Sequence, residues 1–207
     1  MRSAKPRMCT IILICISLPM VSAHGGGRDF DNAKPNQVPN GWRCGVTGKG
    51  HPKWIVVRDD TAPSRPNVLS RSGYGTFPWC VFPAASPWDG YVEGKFKPVS
   101  ERINQAGVWR FKSGDQYYVA RANGLENSVS VYSVQKGRRK TIRYVDAPVP
   151  RNEWNTLRVG FAGDRIKVRL NGKRYLALRD RNISGAGAVG VWTKADSKTL
   201  FDDFVFD

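Results

Sequence analysis

Residues 165–178 alternate between apolar and polar on either side of the dipeptide Asn171-Gly172. Such alternation is typical of strands that bury one face, and Asn-Gly between two such runs favours a two-residue type I′ hairpin turn. Counting outward from the turn pairs Val168 with Tyr175, on a face that is expected to build a core. The same counting puts a second set of residues on the opposite, solvated face: Lys167, Arg169, Arg174, Leu176 and Leu178.

Further short runs with strand-like patterns follow one another through the second half of the chain. They lie at residues 91–97, 107–111, 116–121, 128–134 and 140–145. Gly, Asn and Asp, which favour turns, separate them, and no stretch shows sustained helical periodicity. This spacing predicts an all-β fold, a sandwich of two antiparallel sheets. Residues 61–87, in contrast, are rich in proline and serine, which predicts long ordered loops.

The first 23 residues have the three-part layout of a secretory signal peptide. Arg2, Lys5 and Arg7 form a positive head, residues 9–21 are mostly apolar, and small residues precede a cut after Ala23. The apolar run is too short to span a bilayer as a stable helix. The sequence therefore predicts a signal peptide at 1–23, a single domain at 24–207 without a membrane span, and a secreted or periplasmic location.

The charge balance favours acidic partners. The chain has 33 Lys and Arg residues against 17 Asp and Glu, a formal net charge of +16, and cleavage of the leader removes only three of the positive charges. A balance this basic bears on partners and solubility rather than on fold. For an exported domain it favours carbohydrate or an anionic cell-surface polymer as the partner, whereas nucleic acid is not expected.

Two cysteines, Cys44 and Cys80, remain after removal of the leader. In an oxidising compartment they could form a disulfide, which for a loop of this length stabilises by about 3–4 kcal/mol. The alternative is a pair of buried thiols, and the sequence leaves both open.

Several short strings stand in a fixed order, at residues 48–54, 108–110, 117–127, 154–158, 170–173, 190–196 and 201–203. This ordered set resembles a family of secreted bacterial proteins with concanavalin A-like (LamG-type) jelly rolls, related to 3-keto-disaccharide hydrolases and family-16-glycosidase-like domains. The resemblance extends over residues 30–206. It implies two curved antiparallel sheets, with a concave face and edge loops on which such folds usually bind sugars. The fold hosts enzymes, lectins and structural modules alike, so the resemblance leaves the function open.

A polar group around residues 121–127 is the leading candidate for a sugar-binding site. Aromatic rings stack on sugars, while arginine, asparagine and aspartate bind pairs of hydroxyl groups. The candidate ligand-binding residues are Arg110, Tyr118, Arg121, Asn123, Glu126, Asn127, Trp192, Lys194 and Asp196. The competing interpretation is a buried network, in which Arg110 or Arg121 pairs with Glu126 or Asp196 and ties strands together.

The carboxylates argue against glucanase chemistry. Retaining jelly-roll glucanases carry Glu-x-Asp-x-Glu on one strand, and no glutamate of this chain lies in such a motif. An alternative is an enzyme that cleaves 3-keto-glycosides by elimination, with Glu126 or Asp196 as the base that removes the proton next to the ketone. A third interpretation is a structural surface module that acts through charge alone.

Aspartates stand near both ends of the domain, at Asp29, Asp31, Asp202 and Asp203. Terminal strands of a jelly roll are often neighbours, so these carboxylates are expected to lie close together. Oxygen ligands suit a structural Ca²⁺, for which Asp31 and Asp203 are the candidate ligands. The alternative is a solvated acidic edge, and the sequence indicates no other cofactor.

Overall fold

The computed structural model describes residues 25–100 and 104–207. The predicted signal peptide at residues 1–23 lies outside these ranges. Within them, no helix is long and apolar enough to cross a membrane.

The described residues form β-strands joined by turns and loops. In chain order the strands are β1 (Gly26–Arg28), β2 (Arg43–Gly50), β3 (Lys53–Arg58), β4 (Asn67–Ser72), β5 (Gly75–Phe82), β6 (Gly90–Ser100), β7 (Asn104–Ser113), β8 (Gln116–Asn123), β9 (Ser128–Gln135), β10 (Arg138–Asp146), β11 (Asn155–Ala162), β12 (Arg165–Leu170), β13 (Lys173–Arg179), β14 (Ala188–Thr193) and β15 (Lys198–Phe206). Each run predicted from its residue pattern lies within one of the strands β6–β10, β12 and β13.

These strands build two antiparallel sheets. Sheet I has the order β13-β12-β11-β6-β15-β4-β3, with β1 paired to β15. Sheet II has the order β10-β9-β8-β7-β14-β5-β2. The sheets pack face to face around a core that includes Phe161 and Phe201 of sheet I and Trp109 and Val131 of sheet II. The predicted two-sheet antiparallel sandwich is confirmed.

The hairpin of β12 and β13 has the predicted turn but not the predicted register. Asn171 and Gly172 both have positive φ, as a type I′ turn requires. Beyond the turn a β-bulge leaves Val168 opposite Leu176 rather than Tyr175, so the face predicted for Leu176 is wrong. The reason is burial: the extra residue in β13 brings Leu176 and Leu178 to the core, while the basic residues of β12 stay exposed.

The prediction of long loops over residues 61–87 is also wrong, because this stretch contains β4 and β5. Pro66 directly precedes β4, and Pro78 lies just outside the residues of β5 that pair with β14. Proline lacks an N–H and cannot donate a backbone hydrogen bond within a sheet. Because Pro66 lies before β4 begins and Pro78 lies outside the part of β5 that pairs with β14, neither proline interrupts these pairings. The turn-like composition therefore hid two strands.

Cys44 of β2 and Cys80 of β5 lie directly opposite each other and form a disulfide. The bond joins the edge strand β2 to its neighbour in sheet II. Because the cysteines are 36 residues apart in sequence, the cross-link is expected to stabilise the fold by about 3–4 kcal/mol.

Sheet II is rolled so strongly that its outward face forms a second buried cluster. Thr47 on β2 and Tyr117 on β8 are separated by three strands, yet their hydroxyl oxygens are 2.8 Å apart. Side chains that would be half exposed on a flat sheet, such as Val108 and Val119, are therefore fully buried. The outward face of sheet II is a packed, aromatic-rich interior.

Candidate functional site

The residues predicted to bind a ligand lie at opposite ends of sheet II. Arg110 near the end of β7 and Tyr118 near the start of β8 lie at one end. The other end carries Arg121, Asn123, Glu126, Asn127, Trp192, Lys194 and Asp196, at or just beyond the ends of β8 and β14. The structure therefore does not join all the candidates into one site.

A cavity of about 400 Å³ opens at the end of the sandwich that carries Arg110. The turn between β11 and β12 meets the loop between β13 and β14 there. The lining residues are Arg110, Gly163, Asp164, Arg179, Asp180, Arg181, Ile183 and Ser184. We call this cavity and its lining the end cleft.

Arg110 forms the buried base of the end cleft. Its Nη1 donates to the carbonyl of Ile183 at 3.0 Å and its Nη2 to the carbonyl of Gly163 at 2.7 Å, so it ties both loops to sheet II. The carboxylate of Asp89 lies 3.5 Å from Nη2. Arg110 has a φ of 49° at an irregularity in β7, a strained conformation that costs about 1–3 kcal/mol and persists only where surrounding contacts hold it.

The wall of the end cleft combines carboxylates with guanidinium groups. Asp164 accepts hydrogen bonds from Arg179 Nη1 at 2.7 Å and from Arg181 Nε at 3.0 Å. The hydrogen bond from Arg181, helped by the charge of Arg179, lowers the pKa of Asp164. Asp180 accepts a hydrogen bond from the backbone N–H of Asn182 at 2.9 Å. The wall therefore offers hydrogen-bond acceptors and donors side by side.

Tyr118 connects the end cleft to the core. Its ring is fully buried and stacks on Trp109, with centroids 5.2 Å apart. Its hydroxyl donates to Asp180 and accepts from the backbone N–H of Ile183 at 2.9 Å. Burial and the bond to Asp180 raise the pKa of Tyr118, which keeps the hydroxyl protonated at neutral pH. Tyr118 thus positions the loop between β13 and β14 from below.

An exposed tryptophan, Trp88, lies beside the end cleft. It is 65% exposed. Its six-membered ring lies against Gly185, next to Ser184 of the cleft, and its carbonyl oxygen is 3.5 Å from Nη2 of Arg110. An indole ring presents a flat apolar face together with a polar edge, which suits stacking on a sugar ring.

At the other end, Arg121 is nearly buried on the outward face of sheet II, with 4% of its side chain exposed. Its Nη2 donates to Oε2 of Glu126 at 2.9 Å, while 52% of the Glu126 side chain is exposed. Asn123 Oδ1 accepts from the N–H of Leu125, and Asn127 Oδ1 accepts from the N–H of Val149. Asn123 therefore stabilises the backbone of the turn, Asn127 holds the segment after β10, and Arg121 engages the carboxylate of Glu126.

Trp192 is fully buried in the outward cluster of sheet II. It stacks on Phe77, with centroids 5.7 Å apart, and its Nε1 donates to the hydroxyl of Tyr117 at 3.4 Å. Arg139 of β10 covers the cluster, with its guanidinium carbon 4.9 Å from the Phe77 centroid. Because Trp192 exposes no ring face, it offers no surface for stacking on a sugar.

Lys194 and Asp196 lie in the loop between β14 and β15 and are partly exposed. The guanidinium of Arg71 on β4 donates to the carbonyls of Ala195 and Ser197 and so anchors this loop. Arg71 is fully buried, and burial lowers its pKa to about 10, although the charge of Asp196 opposes the shift.

The candidate calcium ligands are engaged by protein groups. Asp203 Oδ2 accepts from Lys95 Nζ at 2.7 Å, and Asp31 Oδ1 accepts from the N–H of Asn67 at 3.1 Å. Within residues 25–100 and 104–207, no group of three or more His, Cys, Asp or Glu side chains is arranged to hold a metal ion. The calcium site at Asp31 and Asp203 stays a prediction.

Asp202 is expected to make the stability of the protein depend on pH. It is fully buried and accepts hydrogen bonds from the N–H and hydroxyl of Ser64, and burial raises its pKa to about 6. An acid whose pKa is raised by folding contributes stability that is complete below its unfolded pKa and is lost as the pH rises through its folded pKa. Lowering the pH from 7 to 5 is therefore expected to raise the free energy of unfolding by about 1 kcal/mol relative to an Asp202→Asn variant. Urea unfolding of both proteins at pH 7 and pH 5 measures this difference, with a chelator present so that bound metal ions do not contribute. An equal change in the free energy of unfolding for the wild type and Asp202→Asn would contradict the prediction.

The two sheets, one of them rolled, define this protein as a concanavalin A-like jelly-roll sandwich, and solved structures of that class align with it. The carbohydrate-binding module CBM66 from Bacillus subtilis aligns with a TM-score of 0.66 and 17% identity, over 83% of this chain and 97% of that one. The Bacteroides ovatus mixed linkage glucan PUL GH16 protein, in complex with a G4G4G3G product, aligns with a TM-score of 0.60 and 9% identity, over 88% and 99%.

A further similar structure is domain 4 of AbnA, a GH43 extracellular arabinanase from Geobacillus stearothermophilus, in complex with arabinotriose. It aligns with a TM-score of 0.58 and 14% identity, over 87% of this chain and 89% of that one. At such identities the similarity shows the fold. No protein-family model matches the sequence, and a comparison with curated proteins finds no match.

Sequence reasoning did not single out Trp88, Asp164 or Asp180. They lie in three separate loops, which the antiparallel order β13-β12-β11-β6 brings to the same end of sheet I. One signal was available: Trp88 stands in the polar, proline-containing segment before β6, where no strand alternation accounts for a large aromatic residue. No comparable signal marks Asp164 or Asp180.

Proposed function

We propose that this chain is an exported carbohydrate-binding domain that holds a sugar unit in the end cleft. The observation that carries the proposal is the exposed ring of Trp88 beside a cavity of about 400 Å³ that is lined by charged side chains. Sugar sites combine a ring face for stacking with a few fixed polar groups, and cavities of this size are typical of small-ligand sites. The predicted signal peptide would deliver the domain to glycans outside the cytoplasm.

The polar groups of the end cleft suit the hydroxyl groups of a sugar. The carboxylates of Asp164 and Asp180 accept hydrogen bonds from hydroxyl groups, while Arg179 and Arg181 donate hydrogen bonds to hydroxyl and ring oxygens. Arg110 holds both loops from below, so little ordering is needed when a ligand binds. The shared fold with a carbohydrate-binding module and an arabinotriose-bound domain agrees with the proposal.

Binding is favoured over hydrolysis by the state of the carboxylates. A glycosidase needs one carboxyl group that stays protonated near a second carboxylate. In the end cleft the arginines lower the pKa of Asp164, which makes it a poor proton donor. Glu126, a candidate base for elimination from a 3-keto-disaccharide, is engaged by Arg121. If the protein cleaves a 3-keto-disaccharide and the Glu126→Gln variant does not, the alternative function as a hydrolase would be supported instead.

Trp88→Ala tests the site. A glycan identified on an array is titrated by calorimetry, and the variant is expected to bind it about tenfold or more weakly, because burial and stacking of the indole ring are lost. Its thermal unfolding is expected to match the wild type, since the ring is exposed.

Tyr74→Ala is the matched control, because Tyr74 is a second exposed aromatic residue, 58% exposed, and does not line the end cleft. It is expected to bind the glycan like the wild type. Unchanged binding by Trp88→Ala, or an equal loss in Tyr74→Ala, would show that the end cleft is not the binding site.

A further inference from the structure

Two arginines lie against the same aromatic ring on the outward face of sheet II. The guanidinium carbon of Arg121 is 5.3 Å from the centroid of Tyr132, and that of Arg139 is 4.3 Å from the same centroid. Arg121 belongs to β8 and Arg139 to β10, and the strand between them, β9, carries Tyr132, Ser128 and Ser130. We call Arg121, Arg139, Ser128 and Ser130 the arginine cluster.

The positive charge of the arginine cluster is only partly balanced. Glu126 pairs with Arg121, while no acidic side chain in the described part of the chain forms an ion pair with Arg139. Burial lowers the pKa of Arg139, and the nearby charge of Arg121 acts in the same direction, while the charge of Glu126 opposes both. The cluster is therefore a partly buried region with an excess of positive charge.

The arginine cluster also contains buried polar atoms without a hydrogen-bond partner among the residues that the structure describes. They are Nε of Arg121, Nη1 of Arg139 and the hydroxyl oxygens of Ser128 and Ser130. Arg121 and Ser130 are directly opposite on β8 and β9, and Ser128 lies two residues away on the same face. Such atoms are rare in folded proteins and cost about 1–3 kcal/mol each. Ligand oxygens that displaced the half-exposed carboxylate of Glu126 would supply partners for these atoms.

We propose that the arginine cluster is a second subsite, which binds the carboxylate or sulfate group of an acidic sugar. The inference rests on the proposed function, since it adds an anionic contact to the recognition of a polysaccharide. Planar guanidinium groups bind such oxyanions through paired N–H donors, and serine hydroxyls donate to the same oxygens. In the free protein the half-exposed carboxylate of Glu126 occupies Arg121, and an incoming oxyanion takes its place.

The chain offers a matched control for charge. Arg138 precedes Arg139 on β10 but is exposed, so Arg138→Gln and Arg139→Gln remove the same charge from neighbouring positions. Binding to polygalacturonate, dextran sulfate and uncharged dextran is measured at about 0.15 M salt, where attraction between exposed charges is largely screened beyond about 8 Å. The first two polymers distinguish a carboxylate from a sulfate ligand.

Arg139→Gln is expected to weaken binding to at least one of the acidic polymers about tenfold or more, while Arg138→Gln stays within about twofold of the wild type. Glu126→Gln is expected to strengthen the same binding about threefold, because Arg121 loses its internal competitor. Arg139→Lys keeps the charge without the planar fork and is expected to lie between Arg139→Gln and the wild type. It replaces Arg139→Gln in the comparison if thermal unfolding shows that the glutamine variant does not fold.

Equal losses in Arg138→Gln and Arg139→Gln, or binding to neither acidic polymer, would overturn the anionic subsite. In that case, neutral-glycan binding that still depends on Trp88 would show that the proposed function stands without the subsite. If no glycan of either kind binds, the proposed function fails together with it.

Discussion

Replacing Trp192 with alanine is expected to destabilise the protein by about 3–5 kcal/mol, the usual effect of removing a fully buried tryptophan. The ring stacks on Phe77 and its N–H donates to the hydroxyl of Tyr117, inside the outward cluster of sheet II. The substitution opens a cavity between these side chains and removes a hydrogen-bond donor from a buried hydroxyl. Urea unfolding followed by circular dichroism measures the loss.

Trp88→Ala is the control for this prediction, because it makes the same change at an exposed ring. We expect it to alter the free energy of unfolding by no more than about 0.5 kcal/mol. The two tryptophans should therefore separate stability from glycan binding. A Trp192→Ala variant that unfolds like the wild type would show that the outward cluster does not depend on this ring.

Arg71→Ala is expected to cost about 3–5 kcal/mol as well, for an electrostatic reason. The fully buried guanidinium of Arg71 holds the carbonyls of Ala195 and Ser197 and lies near the charge of Asp196. Truncation leaves these carbonyls without their donors and removes a buried positive charge from the vicinity of Asp196. Hydrogen exchange should show the same change locally, as faster exchange in the loop between β14 and β15.

Arg58→Ala provides the comparison, because Arg58 on β3 forms an exposed ion pair with Asp60. Exposed pairs contribute about 0–1 kcal/mol, so this variant should unfold nearly like the wild type. If Arg71→Ala were no less stable than Arg58→Ala, the loop between β14 and β15 would not depend on the buried guanidinium.

The fold could be predicted because the alternation of apolar and polar residues within a single strand indicates which of its faces is buried. The turn at Asn171-Gly172 and the strands β6–β10 follow from such patterns. The register of β13 could not be derived by counting from the turn, since the bulge arises from the packing of Leu176 and Leu178 on the other sheet. Strands β4 and β5 were missed because Pro66 just before β4 and Pro78 inside β5 give this stretch the composition of a loop.

The candidate site was harder to predict because it depends on packing between elements that are distant in sequence. Arg121 and Trp192 face outward from sheet II, but their burial depends on how strongly the whole sheet rolls, which no single strand determines. Arg110 was a candidate from the sequence, and the structure places it at the base of the end cleft. Its partners there come from the loops after β11 and β13, which share one end because β11, β12 and β13 are consecutive antiparallel strands. Sequence order does not show that Arg110, which belongs to the other sheet, reaches these loops.

The positive charge of the protein has a second role at the edge strands of the two sheets. The outermost strand β10 carries Arg138, Lys140 and Arg143, and the outermost strand β13 carries Lys173, Arg174 and Arg179. Unpaired backbone at such margins invites a strand of another molecule, and rows of like charge repel it. These charges are therefore expected to keep the edge strands of two molecules from pairing, even at high protein concentration.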